Sequence, residues 1–234
     1  MSYLNAASWH ALADAYAFLG NSLLRPMSQT ADVGLDPEFW GAFPDFGDEH
    51  VAEAADALGL WAGSLGVGRE KNVTNVSVEY TALFVGPPSP AASPWETMNR
   101  REGASVGFGE ATFQMREVLR SLGLEAAGPS NQYEDHLGIE LLCLSEMCRR
   151  RAWACDMATV ASEVAAREAD AAPDKGALVR ELSDEEVAAF IDDHPLGWIE
   201  ALEAKVQDAY PDGYFAHVLT LARALLACHR SRLG

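Results

Sequence analysis

The sequence predicts an all-α protein, and three observations carry that prediction. Apolar residues recur at intervals of three and four through most of the chain, the period of one helix face. Strand signals are almost absent: only "NVTNVSVEY" (72–80) is rich in β-branched residues, and it runs straight into helical spacing. Helix punctuation is frequent, with capping residues before periodic runs and Pro or Gly after them. The expected architecture is about nine to eleven helices, as one domain of 234 residues or as two lobes (about 1–122 and 135–234) joined by a loop near 123–134.

Taken in order, Leu4, Leu12, Tyr16, Leu19 and Leu23 make one amphipathic helix over 3–24, broken by Pro26 and the turn-rich "SQTADVGLDP". Asp48 is placed to cap a helix running through Leu60, and Gly63, Gly66 and Gly68 close that segment. Tyr80, Leu83 and Phe84 stand at i, i+3 and i+4, one apolar helical face, before Gly86-Pro87-Pro88 stops the helix. A helix over Phe108–Leu122 ends at Gly123. From Asp135 the positions Leu137, Leu141, Leu144, Cys148, Ala152 and Cys155 form the stripe of a long helix. Ser183 and Glu186 form a capping box, Pro195 follows Asp192-Asp193-His194, a helix runs over Leu196–Ala209, and another over Phe215–Arg232.

Charge excludes several function classes. Seventeen basic residues face 35 acidic ones, a net of −18; residues 28–68 hold eight acids and no Lys or Arg. Such a surface repels phosphate backbones and anionic lipid, and it draws in basic segments. Nucleic acid and membrane are therefore not expected partners. No apolar run approaches the ~20 residues of a membrane span, and residues 1–24 lack the basic start of an export signal. A cytoplasmic location is expected. Cys143, Cys148, Cys155 and Cys228 form no Cys-x-x-Cys pair and read as reduced, buried hydrophobes. Arg149–Arg151 reads as a solvated or ion-paired face.

Three segments concentrate unusual residues. In "EYTALFVGPPSPAASPWETM" (79–98), Trp95 follows Pro94 and is either a lid on the core or a hydrophobic platform. In "YEDHLGIE" (133–140), adjacent Asp135 and His136 suggest a catalytic pair, a metal site or a helix start. Neighbours on a helix point about 100° apart and cannot easily grip one ion. His136 and Glu140 could share one, yet no second histidine pair converges on them. No nucleophile motif accompanies the pair, and no phosphate-cradling Gly-x-x-x-x-Gly-Lys is present. Asp135 reads best as an N-cap or first-turn acid. In 190–226, Asp192, Asp193 and His194 look metal-like, while Phe190, Trp198, Leu202, Tyr214, Phe215 and Leu219 make a packing pattern; helix cap plus core is the simpler reading. No catalytic residue, metal or cofactor is expected.

Together these segments resemble the TorD/DmsD/NarJ family of cytoplasmic chaperones for molybdenum-containing oxidoreductases. The resemblance is carried by Tyr80, Leu83, Phe84, Gly86, Pro87, Pro94 and Trp95; by Asp135-His136-Leu137 with Glu140-Leu141; and by Phe190, His194, Trp198, Tyr214 and Phe215, over about residues 75–230. Two departures stand out. Gln132 and Tyr133 replace the family's acid and proline, which implies a less rigid loop, and Thr97-Met98-Asn99 replaces its Ser-x-Tyr run. The resemblance implies a helical, non-catalytic protein that binds the N-terminal, typically twin-arginine, signal peptide of an apo catalytic subunit. It would hold that subunit until the molybdenum cofactor is inserted and delay its export, as a monomer or homodimer. Tyr80, Leu83, Phe84 and Trp95 would form a hydrophobic wall, and Gln132, Glu134, Asp135, His136 and Glu140 the polar contact. The rival readings are a metal-dependent hydrolase using His136, His194 and nearby carboxylates, and a helical adaptor without an export client.

Overall fold

A computed structural model describes residues 4–100, 108–126, 132–167 and 181–234 of the chain, with backbone alone for 161–167. The described residues are helical with no strand, as the periodicity predicts. The helices are α1 (Ala6–Leu24), α2 (Pro37–Gly41), α3 (Glu49–Ser64), α4 (Arg69–Tyr80), α5 (Glu96–Arg100), α6 (Glu110–Ser121), α7 (Leu137–Arg167), α8 (Asp184–Asp193), α9 (Ile199–Ala209) and α10 (Tyr214–Arg232). A π-helical turn, Thr81–Val85, continues α4.

Local chemistry sets most starts. Asn5 caps α1 through Ser8 N, Asp36 caps α2 ahead of Pro37, and Asp48 accepts from His50 N and Val51 N to begin α3. α3 runs four residues past the expected Leu60. The Ser183–Glu186 box opens α8 with reciprocal bonds of 3.2 and 2.9 Å. α4 forms across the β-branched run because Val76 and Tyr80 turn inward onto the core, so burial outweighs intrinsic propensity. The expected helix over Leu196–Ala209 divides into a 3-10 turn, Pro195–Gly197, and α9.

The frame is an antiparallel pair, α1 against α7. Gly20 lies beside Gly138, Ser145 Oγ donates to Ala13 O at 2.7 Å, and His10 meets Asp156 at 3.2 Å, so the helices run in opposite senses. A Cβ on Gly20 would sit 2.8 Å from Gly138 O, and the missing side chains let the two backbones touch. α10 is buried on nearly every face, as an all-round apolar helix must be. It packs on α3, α4, α9 and α1, where Tyr16 reaches His229 at 3.2 Å. Glu203, buried on α9, takes Thr220 at 2.6 Å and Arg223 at 2.5 Å from α10. Arg150 pairs with Glu146, and Arg151 pairs with Asp184 while lying over Trp9, so part of the basic cluster is ion-paired. The cysteines are free; Cys143, Cys148 and Cys228 are buried and Cys155 is half-buried. Of the expected joint at 123–134, residues 127–131 lie outside the described residues.

Candidate functional site

Two segments distant in sequence are stitched together at the start of α7. Leu137 N donates to Pro94 O at 2.9 Å, and Glu96 N donates to Asp135 O at 2.9 Å. Trp95 and His136 thereby form an isolated antiparallel bridge. The Asp135 carboxylate is buried in this seam. Its Oδ2 accepts from Thr97 N at 3.0 Å and Thr97 Oγ1 at 2.6 Å, and its Oδ1 accepts from Thr112 Oγ1 at 3.0 Å. This corrects the sequence expectation for Asp135. It does not cap its own helix; it caps the first turn of α5 and ties in α6. Burial raises its pKa against the opposing pull of those hydrogen bonds.

His136 takes the capping role instead. Its Nδ1 accepts from Gly138 N at 3.0 Å, which places the ring proton on Nε2. That Nε2 is buried with no hydrogen-bond partner among the described residues, and desolvation holds the ring neutral, with a pKa lowered to about 3. Beside it, Trp95 Nε1 is also buried and meets no acceptor among the described residues, with the two rings 5.9 Å apart, edge to face.

From Trp95 an aromatic shelf reaches the surface. Tyr133 lies 6.3 Å from Trp95, Phe108 lies 5.4 Å from Tyr133, and Phe113 lies 5.0 Å from Phe108. Tyr133, Phe108 and Phe113 remain 39%, 39% and 49% exposed, enough that the shelf is open to a partner. Arg116 lies over the Phe113 ring and grips Glu134 with two bonds of 2.7 and 3.0 Å. That guanidinium holds the Glu134 carboxyl below its usual range, so it stays charged. Gln132 is half-buried at the edge of this group.

The remaining predicted residues lie inside. Tyr80, Leu83 and Phe84 are buried, with Tyr80 and Phe84 packed on each other and on Phe215. Burial pushes the Tyr80 phenol up to about 12. In this conformation they support the fold from within and offer no open surface. Next to them, Glu79 accepts from Tyr214 N at 3.1 Å and Phe215 N at 2.8 Å, capping α10 from α4. An apolar cleft of about 490 Å³, lined by Trp61, Leu65, Val78, Glu79 and Tyr210 among others, opens on that side. Glu140 turns away from His136 toward Trp198, whose Nε1 donates to it at 3.1 Å.

Sequence reasoning passed over Phe108, Phe113, Arg116, Glu79, Glu96 and Trp61 as site residues. Phe108 precedes α6, and Phe113 falls off that helix's inward stripe of Ala111, Met115 and Leu119, so neither follows the core period. The Tyr214 and Phe215 amides that meet Glu79, and the His194 ring that meets Glu96, lie 98 to 136 residues away, beyond any spacing argument.

Comparison with known proteins gives one family. The model described as nitrate reductase delta subunit matches residues 47–204, about two thirds of the chain. No curated protein matches the chain significantly.

Proposed function

The chain belongs to the nitrate reductase delta subunit family, whose members are maturation chaperones of molybdoenzymes and not enzymes, and from that premise we propose that it recognises the signal peptide of its client. The client would be the apo catalytic subunit of a molybdopterin oxidoreductase. The ligand segment would be that subunit's N-terminal, twin-arginine signal peptide, held in the cytoplasm until the cofactor is inserted. None of the described helices is long and apolar enough to cross a membrane, which agrees with a client met in solution.

The observation that carries this reading is the exposed aromatic shelf of Phe108, Phe113 and Tyr133, rooted on half-buried Trp95. Exposed aromatic rings supply apolar contact area with little rotamer entropy to lose, which suits the apolar run of a signal peptide. The net charge of −18 raises the encounter rate with the basic end of such a peptide. The shelf supplies affinity; the charge supplies orientation and rate. Tyr80, Leu83, Phe84, Asp135, His136 and Glu140 act from behind, by holding the shelf's supporting helices in place.

Co-expression tests this. The chain is expected to co-purify with an apo catalytic subunit that carries its leader and to lose it when the leader is deleted. Equal capture without the leader would leave the chaperone role standing and remove the peptide reading.

A further inference from the structure

Three elements bring two carboxylates and an imidazole together in the interior, away from the shelf. Glu96 comes from α5, Glu140 from α7, and His194 from the turn that ends α8. All three are at least nine-tenths buried, and one ligand-type atom from each lies within 4.8 Å of the others. His194 Nδ1 is 2.9 Å from Glu96 Oε2. Trp198 Nε1 holds Glu140 Oε2, while Glu140 Oε1 is buried and meets no donor among the described residues. An unsatisfied, fully buried carboxylate oxygen is costly in the absence of a proton or cation to meet it.

We propose that Glu96, Glu140 and His194 bind a divalent transition-metal ion of the zinc class, clamping α5, α7 and the α8–α9 junction together. Two carboxylate oxygens and one imidazole nitrogen, without a thiolate, are a donor set that zinc, manganese and ferrous iron accept. Indole and guanidinium donors around the ligating oxygens orient them as outer-shell partners do. Here these are Trp198 on Glu140, and Arg100, which contacts Glu96 and the carbonyl of Asp193.

Two carboxylates and a divalent cation sum to zero charge, so the ion supplies the positive partner that the buried Glu140 Oε1 lacks among the described residues. A cleft of about 260 Å³ between α6, α7 and α8 has His194 in its lining. The Asp192-Asp193-His194 run thus contributes its histidine, while Asp192 pairs with Arg230 on the surface.

The test is titration of zinc(II) into chelator-stripped full-length protein, followed by isothermal calorimetry and by thermal unfolding. The expected result is one ion per chain, a raised melting temperature, and at least about tenfold weaker binding in Glu140→Gln and in His194→Gln. A control pair, Glu53→Gln and Asp56→Asn, removes surface acid and keeps the binding. Should Glu140→Gln fail to fold, His194→Gln and the stoichiometry in the wild type decide. Absence of saturable binding overturns the proposal. So does stoichiometric binding that is unchanged in the cluster variants, since the ion then sits on the acidic surface.

Discussion

Trp95 and His136 face each other across a single antiparallel bridge, and each presents a buried N–H that no acceptor among the described residues meets. Both groups are donors, because His136 Nδ1 is already occupied by the Gly138 amide. An oxygen acceptor delivered by a peptide on the shelf would satisfy the Trp95 donor. Trp95→Phe keeps the ring packing and removes one donor. Peptide affinity is expected to fall roughly two- to twelvefold, the value of one hydrogen bond, with the urea midpoint unchanged. Isothermal calorimetry on the two proteins measures it.

The Asp135 seam is a stability feature. Thr112→Val deletes the hydroxyl that meets Asp135 Oδ1 and leaves a buried carboxylate oxygen short of a donor. A loss of about 1–3 kcal/mol is expected in urea denaturation. Asp135→Ala should cost more, since it also strips the cap from α5.

Buried His229 gives a pH dependence. Desolvation, with Arg232 adding to it, lowers its pKa to about 3 from 6.5, so the folded protein keeps it neutral. The unfolded chain takes up that proton below pH 6.5 while the folded chain does not, so this residue's contribution is lost as pH falls from 6.5 toward 3. The slope is about 1.4 kcal/mol per pH unit for one proton. Raised carboxylates such as Glu140 act in the opposite sense, so the measurable quantity is a difference between two proteins. Between pH 6 and 5, stability of His229→Gln should fall less steeply than wild type by about that slope. Urea midpoints across the range check this.

The α1–α7 crossing depends on missing side chains. Gly20→Ala places a Cβ 2.8 Å from Gly138 O and 3.2 Å from Leu142 N, both backbone atoms that cannot yield. A destabilisation of about 1–3 kcal/mol is expected despite the better helix propensity of Ala. Gly59→Ala on α3, where the nearest atom is 3.6 Å away, serves as the neutral comparison.

How far the sequence reveals this molecule depends on the range of each interaction. Helix starts at Asp48 and Ser183 are legible because a cap and its amides lie within three residues. The apolar face of Tyr80, Leu83 and Phe84 is legible as a face, but its destination is the core against Phe215, 131 to 135 residues along the chain. The "NVTNVSVEY" run shows the limit of propensity, since its helix is decided by what Val76 and Tyr80 pack on. Asp135 illustrates the same limit for caps. Its position before a helix is visible, yet the amide it caps belongs to Thr97, 38 residues earlier. The Glu96–His194 contact spans 98 residues and has no local trace. Family resemblance reaches further than spacing because it carries tertiary information that a single chain does not show.

The most direct test of the central claim is titration of a synthetic peptide, two consecutive arginines followed by an apolar run, against wild type, Tyr133→Ala and Phe113→Ala. Wild type is expected to bind at micromolar concentration or tighter. Each variant, altered at an exposed ring, should keep its thermal stability and lose about tenfold or more in affinity. No binding by wild type, or equal binding by all three proteins, would contradict the assignment of the shelf as the peptide site.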